Sequence, residues 1–171
     1  LEIIRLDLRN FSIKDGDIEI VSQKFTNLQF LSLSHSEITD ISTAHLAKII
    51  SLTSLDLSVC RQINDFTFLH QCTELTSLNL RWCEQINDIS FLQHCTKLTS
   101  LDLSVCRQIN DFSFLQHCKD LTSLNLTWCE QINDISFLQH CNKLTSLNLS
   151  HCRQINDISF LQHCKDLTSL N

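Results

Sequence analysis

Residues 52–72 read LTSLDLSVCRQINDFTFLHQC, and closely similar stretches follow at intervals of 23 residues. Looser versions precede this stretch at intervals of 25 and 24 residues, and a fragment ends the chain. Self-similarity at a fixed period in this range is typical of stacked-repeat architectures. We therefore predict one repeat domain over residues 1–171, without a linker or a second domain. Its repeats start near residues 3, 28, 52, 75, 98, 121, 144 and, for the fragment, 167.

Each repeat combines a strand pattern with a helix pattern. When a repeat is numbered 1 to 23 from its first leucine, apolar places 4 and 6 alternate with polar places 5 and 7. This period of two is typical of a short, half-buried strand. Aspartate at place 14 precedes apolar residues spaced three and four apart, which predicts an N-cap and a short helix. Because so short a unit cannot bury its own apolar face, copies must stack in parallel around a shared core.

The composition excludes several classes of protein and of partner. One glycine and no proline exclude collagen-like and Pro/Gly-rich disordered chains, and a hydrophobic fraction of 43% is enough to drive collapse. No apolar run approaches the ~18 residues of a membrane span. The net charge of −6 disfavours nucleic acid, whose phosphates require clustered Lys and Arg. We expect neither a membrane nor a nucleic-acid partner.

The motif LxxLxLxxC followed by IxD resembles the leucine-rich repeat family over essentially the whole chain, and its cysteine-containing subfamily in particular. The residues that carry this motif in one repeat are Leu98, Leu101, Leu103, Cys106, Ile109 and Asp111. The resemblance implies an α/β fold, a right-handed horseshoe-shaped solenoid with a parallel concave β-sheet and short convex helices. It also implies protein recognition as the usual task. The subfamily occurs in substrate-recognition subunits of F-box ubiquitin ligases.

Ten cysteines form two columns, at places 9 and 21, where the interior of the solenoid is expected. No pair has the CxxC spacing of zinc ribbons or redox motifs, and stacked neighbours have parallel Cβ directions that suit a disulfide poorly. We predict buried free thiols, with zinc binding and disulfides as the alternatives, and no cofactor or metal. So many reduced thiols favour the cytoplasm or nucleus. The columns are Cys60, Cys83, Cys106, Cys129 and Cys152, and Cys72, Cys95, Cys118, Cys141 and Cys164.

Two charged columns alternate in sign from one repeat to the next. In a stack each charge would lie between opposite charges, in exposed pairs worth about 0–1 kcal/mol each. A slip by one repeat would bring like charges together, so we predict that the columns fix the register. The alternative is that duplication copied the alternation without a role. The columns are Arg61, Glu84, Arg107, Glu130 and Arg153 at place 10, and Glu74, Lys97, Asp120, Lys143 and Asp166 at place 23.

The places that follow the strand pattern supply the candidate binding residues. Places 5, 7 and 8 should face the concave side or its edge, and tryptophan occurs twice at place 8. Because tryptophan and arginine are enriched among interface hot spots, we predict a partner-binding patch centred on these residues. The alternative is that both indoles only cover the core. The predicted patch on the concave face consists of Arg81, Trp82, Thr127, Trp128, His151, Asp56 and Asp102.

No catalytic motif is found in the sequence. It has no Gly-rich phosphate loop, no GxSxG and no HExxH, and its His, Ser and Asp combinations recur with the repeat rather than converging on one pocket. The stacked aspartates at place 14 do not predict calcium, because an N-cap oxygen already accepts backbone N–H groups. We therefore expect a binding protein rather than an enzyme.

The expected function is non-catalytic protein–protein recognition through the concave face. Two narrower hypotheses are a substrate-recognition part of an F-box-type ubiquitin ligase and a bacterial or protist effector that acts in the host cytosol. No signal or transit peptide is evident, and Leu1 is expected to be a domain boundary. Neither end carries the polar cap that a solenoid needs, so we expect either that this stretch is part of a longer array or that the open ends stack on another molecule, and we predict end-to-end self-association.

Overall fold

Eight short parallel strands form one sheet in the order of the chain. The computed structural model describes residues 3–9 and 11–171. Equivalent leucines of successive repeats lie side by side, so that Leu78 pairs with Leu55 on one side and with Leu101 on the other. The predicted α/β solenoid class is confirmed. The strands are β1 (Arg5–Asp7), β2 (Phe30–Ser32), β3 (Ser54–Asp56), β4 (Ser77–Asn79), β5 (Ser100–Asp102), β6 (Ser123–Asn125), β7 (Ser146–Asn148) and β8 (Ser169–Leu170).

A strand follows each predicted repeat start within two residues. The predicted single domain of residues 1–171 includes residues 1, 2 and 10, which lie outside the described part of the chain, and this boundary stays a prediction.

The helical segments shorten where the repeats become regular. The two long repeats at the start of the chain contain α1 (Asp15–Lys24) and α2 (Asp40–Leu46), whereas the 23-residue repeats contain 3-10 helices. Such tight, short helices are common where few residues connect two elements. In residues 3–9 and 11–171 no helix is long and apolar enough to cross a membrane. The 3-10 helices are Thr67–Gln71, Ser90–Gln93, Ser113–His117, Ser136–His140 and Ser159–His163.

The predicted aspartate N-cap is wrong in position. Each 3-10 helix begins two residues after the aspartate, and the N-cap residue is the intervening Phe or Ile, as in Phe66. Asp65 instead accepts a hydrogen bond from the backbone N–H of Thr67 at 2.9 Å. Asp88 accepts one from the N–H of Ser90 at 2.7 Å. The aspartates therefore close an Asx turn that leads into the helix.

The core is one continuous stack of the apolar places of all repeats. In the repeat that starts at Leu52, the side chains at places 1, 4, 6, 9, 12, 15, 17, 18 and 21 are all buried. All ten cysteines are buried and free, so the prediction of core thiols is confirmed for both columns.

The place-9 thiols also connect neighbouring repeats. Cys83 Sγ donates to the carbonyl of Leu57 at 3.2 Å, and Cys106 Sγ donates to the carbonyl of Leu80 at the same distance. The place-21 thiols make longer contacts, such as Cys95 Sγ to the carbonyl of Leu69 at 3.6 Å. The carbonyl of Leu57 also accepts the backbone N–H of Cys60, so the thiol of Cys83 is a second, weak donor to it, supplied by a small apolar side chain that suits the interior.

The charged columns form separate pairs rather than a continuous ladder. Lys97 contacts Glu74 at 2.7 Å, and Lys143 contacts Asp120 at 2.6 Å. At place 10, Arg107 lies 3.6 Å from Glu130. No other ion pair forms in these two columns within the described part of the chain. The expected continuous pairing is therefore wrong, because each lysine reaches the acidic residue of the preceding repeat only. The role of the columns in register stays a prediction.

Three residues beyond the end of six strands, β2 to β7, the backbone adopts a left-handed conformation, which the sequence pattern did not indicate. Place 8 has a positive φ of 62–65° in six successive repeats. The N–H of place 9 donates to the carbonyl of place 6, as Cys60 does to Leu57 at 3.1 Å. A positive φ at the third position of such a turn is typical of type II turns, which favour Gly or Asn. The residues at this place are His35, Val59, Trp82, Val105, Trp128 and His151.

Replacing Val59 by asparagine is expected to stabilise the fold by about 1 kcal/mol. A β-branched residue is strained in the left-handed region, whereas asparagine tolerates it. Val59 is half-buried, so the substitution sacrifices little apolar burial. The matched Val105→Asn variant has the same φ but a side chain only 5% exposed, and should lose stability. Urea unfolding of both variants tests this, and equal destabilisation would contradict the assignment of strain to Val59.

Candidate functional site

Both tryptophans of the chain lie in the left-handed turn at the carboxyl edge of the sheet. Trp82 and Trp128 are half-buried, three residues beyond the ends of β4 and β6. Their backbone N–H groups extend the hydrogen bonding between neighbouring repeats beyond the strands. Trp82 N donates to the carbonyl of Ser104 at 2.9 Å, and Trp128 N donates to the carbonyl of Ser150 at 2.9 Å. The turn therefore holds each indole in a fixed position beside the sheet.

Each indole is packed against an arginine of the preceding repeat. The guanidinium carbon of Arg61 lies 5.5 Å from the centre of the Trp82 ring, and that of Arg107 lies 5.6 Å from the Trp128 ring. These are cation–π distances. Trp128 also stacks on His151, with ring centroids 3.9 Å apart and planes 8° apart. Place 10 of one repeat and place 8 of the next thus form a recurring Arg–Trp unit.

A surface groove of about 230 Å³ lies between the two indoles. We call it the tryptophan groove. It brings together four of the seven predicted binding residues, while His151 is placed beside it by its stack on Trp128. The lining residues are Arg81, Trp82, Ser104, Val105, Asn125, Thr127 and Trp128.

Three lining residues were not among the predicted site residues. Ser104 is 3% exposed and Val105 is 5% exposed, so places 7 and 8 are buried at these positions, although both residues line the groove. Val105 is buried because its smaller side chain occupies the place-8 position between two tryptophans. Asn125 is held by its own contacts, donating to Asp102 Oδ2 at 3.1 Å. The alternation of small and large residues at place 8 is the signal from which a groove could have been expected.

Two polar groups of the groove have no partner in the described part of the chain. Ser104 Oγ is buried without a hydrogen bond, although the Ser104 backbone N–H donates to Asp102 at 2.8 Å. The guanidinium of Arg81 is exposed and forms no ion pair with the described residues. A buried hydroxyl without a partner costs about 1–3 kcal/mol, so it needs a physical explanation.

The two predicted aspartates have structural contacts and do not line the groove. Asp56 accepts hydrogen bonds from the Ser32 hydroxyl at 3.1 Å and the Ser58 N–H at 2.9 Å. Asp102 accepts from Ser104 and Asn125. Place 5 therefore stabilises the start of the turn in the five 23-residue repeats, which explains why Asp or Asn occupies it there, whereas Ser32 holds this place in the repeat that starts at Leu28.

The thiols lack the properties of a nucleophile or a metal ligand. Burial raises the pKa of Cys60 and of Cys72 to about 11, whereas a reactive cysteine needs a lowered pKa and some exposure. Across residues 3–9 and 11–171 no three His, Cys, Asp or Glu side chains are placed to hold a metal ion.

Two family models of leucine-rich repeats match the sequence. The model described as "Zer-1-like, Leucine-rich repeats" matches residues 42–112. The model described as "Leucine Rich repeat" matches residues 117–135 and 140–158. No curated protein shows a significant match to the chain in sequence.

Solved structures of internalins share the fold. An internalin (inlF) from Listeria monocytogenes str. 4b F2365 is 30% identical with a TM-score of 0.85, over 98% of this chain and 47% of that chain. The chain thus spans about half the length of that internalin. An internalin C2 (inlC2) from the same strain is 24% identical with a TM-score of 0.78, over 98% of this chain and 80% of that chain.

A third structure, the functional domain of InlJ from Listeria monocytogenes, includes a cysteine ladder. It is 20% identical with a TM-score of 0.55, over 86% of this chain and 39% of that chain. At this identity, as for inlC2, the likeness concerns the fold alone. The repeat motif, the parallel stack, the two columns of thiols and the matching family models agree with one another. The chain belongs to the leucine-rich repeat family, as a member whose repeats carry buried cysteines.

Proposed function

We propose that the chain is a non-catalytic protein-interaction module that binds its partner at the tryptophan groove. The supporting observation is that both tryptophans of the chain flank one groove that also contains an unpaired arginine. Interface hot spots are enriched in Trp and Arg and lie in pockets from which water is excluded on binding. The fold supports this role, since leucine-rich repeats typically serve as interaction scaffolds.

Replacing both indoles should abolish partner capture. We expect the Trp82→Ala, Trp128→Ala double variant to retain less than about a tenth of the bound partner, because each hot-spot truncation costs about 2 kcal/mol or more. The measurement is a pull-down from cytosolic extract, with the amounts of specifically retained proteins quantified by mass spectrometry. The control is Ile41→Ala, which removes another exposed apolar side chain on α2 (68% exposed). Equal capture by the double variant, with its circular dichroism unchanged, would contradict binding at this groove.

The proposed location is the cytoplasm, or the host cytosol for an effector, because a chain with ten free thiols is typical of a reducing environment. The two narrower forms of the proposal are a substrate-recognition part of an F-box-type ubiquitin ligase and a bacterial or protist effector. An F-box or a catalytic domain encoded in the same gene discriminates between them.

We also propose that the 171-residue chain associates end to end at high concentration. Among the residues that the structure describes, β1 pairs only with β2 and β8 only with β7, so each presents a strand edge. Exposed apolar side chains accompany these edges, among them Leu170 at 51% and Ile4 at 48%. Light scattering should show a mass that rises with concentration, and Leu170→Lys should reduce the rise. A monomeric mass at every concentration would contradict this association.

A further inference from the structure

The tryptophan groove presents hydrogen-bond donors that the described part of the chain leaves unused. The hydroxyl of Ser104 is buried and has no partner, and the guanidinium of Arg81 forms no ion pair. Both residues line the groove, in adjacent repeats at the same place 7. A ligand group that accepts hydrogen bonds and carries negative charge satisfies both at once.

The equivalent serine in another repeat shows that the missing partner is specific to this groove. Ser58 also stands at place 7, and its hydroxyl pairs with that of Ser34 at 2.7 Å. The place-7 neighbours of Ser104 are Arg81 and Thr127, and the Thr127 hydroxyl is bonded to Asn125 Oδ1 at 2.6 Å. Ser104 is therefore the buried place-7 hydroxyl for which the column provides no partner.

The charge at the groove is opposite to that of the chain as a whole. The net charge is −6, yet no Asp or Glu lines the groove, while Arg81 does and Arg61 packs on Trp82 at its border. The nearby carboxylate of Asp102 already accepts from Ser104 and Asn125. The Asp102 carboxylate keeps its negative charge beside the groove but does not line it, so a partner carboxylate that enters the groove contacts the cation of Arg81 directly.

The remainder of the groove is apolar. Trp82 and Trp128 form its two sides and Val105 lies between them. We propose that the groove binds an acidic peptide segment of the partner protein. One Asp or Glu carboxylate accepts hydrogen bonds from Ser104 Oγ and Arg81, and an adjacent apolar side chain packs between the indoles. This inference rests on the proposed function and specifies the chemistry of its ligand.

The test begins with random peptides displayed on phage and selected on the full 171-residue chain. A recovered peptide is then synthesised with a fluorescent dye, and its binding is followed by the anisotropy of the dye, which also measures the variant that lacks Trp82 and Trp128, the two tryptophans of the chain. We expect recovered peptides to be enriched in Asp or Glu beside bulky apolar residues. Replacing the acidic residue of the peptide by its amide should weaken binding about tenfold or more, as should Arg81→Gln or Ser104→Ala in the protein.

Matched variants separate binding from folding. Ser150→Ala changes the same place 7 outside the groove, and Arg153→Gln removes an exposed arginine that does not line it, so neither should alter affinity. Ser104→Ala should leave the melting temperature unchanged or raise it, since it removes a buried hydroxyl without a partner. A merely structural serine would instead lower it.

The outcomes distinguish this inference from the proposed function. Peptides that bind without acidic enrichment, tolerate Arg81→Gln and lose binding in the Trp82→Ala, Trp128→Ala variant overturn the acidic ligand but retain the groove. Peptides that bind the tryptophan variant as tightly as the parent overturn both. Failure to recover any peptide from the selection also counts against both.

Discussion

The chain is expected to unfold cooperatively as the pH rises to about 10, because the folded core keeps its thiols protonated. Burial raises the pKa of all ten thiols above the ordinary value of 9.0. It raises the pKa to about 11 for Cys60, Cys72 and Cys152, to about 12 for Cys95, Cys118 and Cys141, and also raises it for Cys83, Cys106, Cys129 and Cys164.

The fall in the free energy of unfolding with rising pH follows from the number of protons that the folded and the unfolded chain bind. Below pH 8 the thiols are protonated in both states, so they give stability no pH dependence. Above about pH 9 the unfolded chain releases protons that the folded chain retains, so each thiol lowers the free energy of unfolding by about 1.4 kcal/mol per pH unit. Ten thiols together then match the total stability of an ordinary domain, about 5–15 kcal/mol, within about one pH unit.

Thiolate absorbance and circular dichroism recorded together against pH test this prediction. The chain has no tyrosine, whose ionisation would otherwise overlap the thiolate signal. We expect thiolate to appear only as the secondary structure disappears. Thiolates that form near pH 9 while the fold stays intact would show that the cysteines are accessible to water.

The Leu101→Ala substitution is expected to cost about 2–5 kcal/mol of stability. Leu101 is 1% exposed at the centre of β5, between Leu78 and Leu124 in register. Truncation removes its apolar burial and leaves a cavity that two flanking repeats cannot fill. The fall should appear as a lower midpoint in urea unfolding.

The matched control is Leu170→Ala, at the same place 4 of the last fragment. Leu170 pairs on one side only and is 51% exposed. Its truncation should change the free energy of unfolding by less than about 1 kcal/mol. Comparable losses for the two variants would contradict a core built from side chains stacked between two repeats.

The features that repeat with the period could be predicted from the sequence. Strand positions and buried thiols follow from apolar spacing, because every copy must bury the same face against its neighbours. Burial at these places depends on the period alone and not on the identity of the neighbouring side chains.

The features that depend on backbone detail could not be predicted from the sequence. Place 8 holds Val, Trp and His rather than the Gly or Asn that indicates a positive φ, because the stacked ladder imposes the turn from outside the residue. The segment from Asp65 to Cys72 contains the 3-10 helix Thr67–Gln71, and propensity does not distinguish this helix from a single α-turn.

The candidate site was predicted in part. Arg81, Trp82, Thr127 and Trp128 do line one groove. Ser104 was missed because the repeat pattern predicts a polar, exposed residue at place 7 whichever repeat it is in. Whether the hydroxyl of a place-7 serine finds a hydrogen-bond partner depends on the residues at place 7 in the two neighbouring repeats. A comparison of neighbouring residues along each column, rather than along the chain, carries that information.

Long-wavelength anomalous diffraction from crystals of the chain tests the parallel stack most directly. The sequence has ten cysteines and no methionine, so every sulfur position reports one place of one repeat. The stacked fold predicts two rows of five sulfur peaks, with neighbours in a row ~5 Å or more apart, as strand spacing requires. Sulfur pairs at the bonding distance of ~2 Å, or sulfurs grouped around a metal, would contradict it.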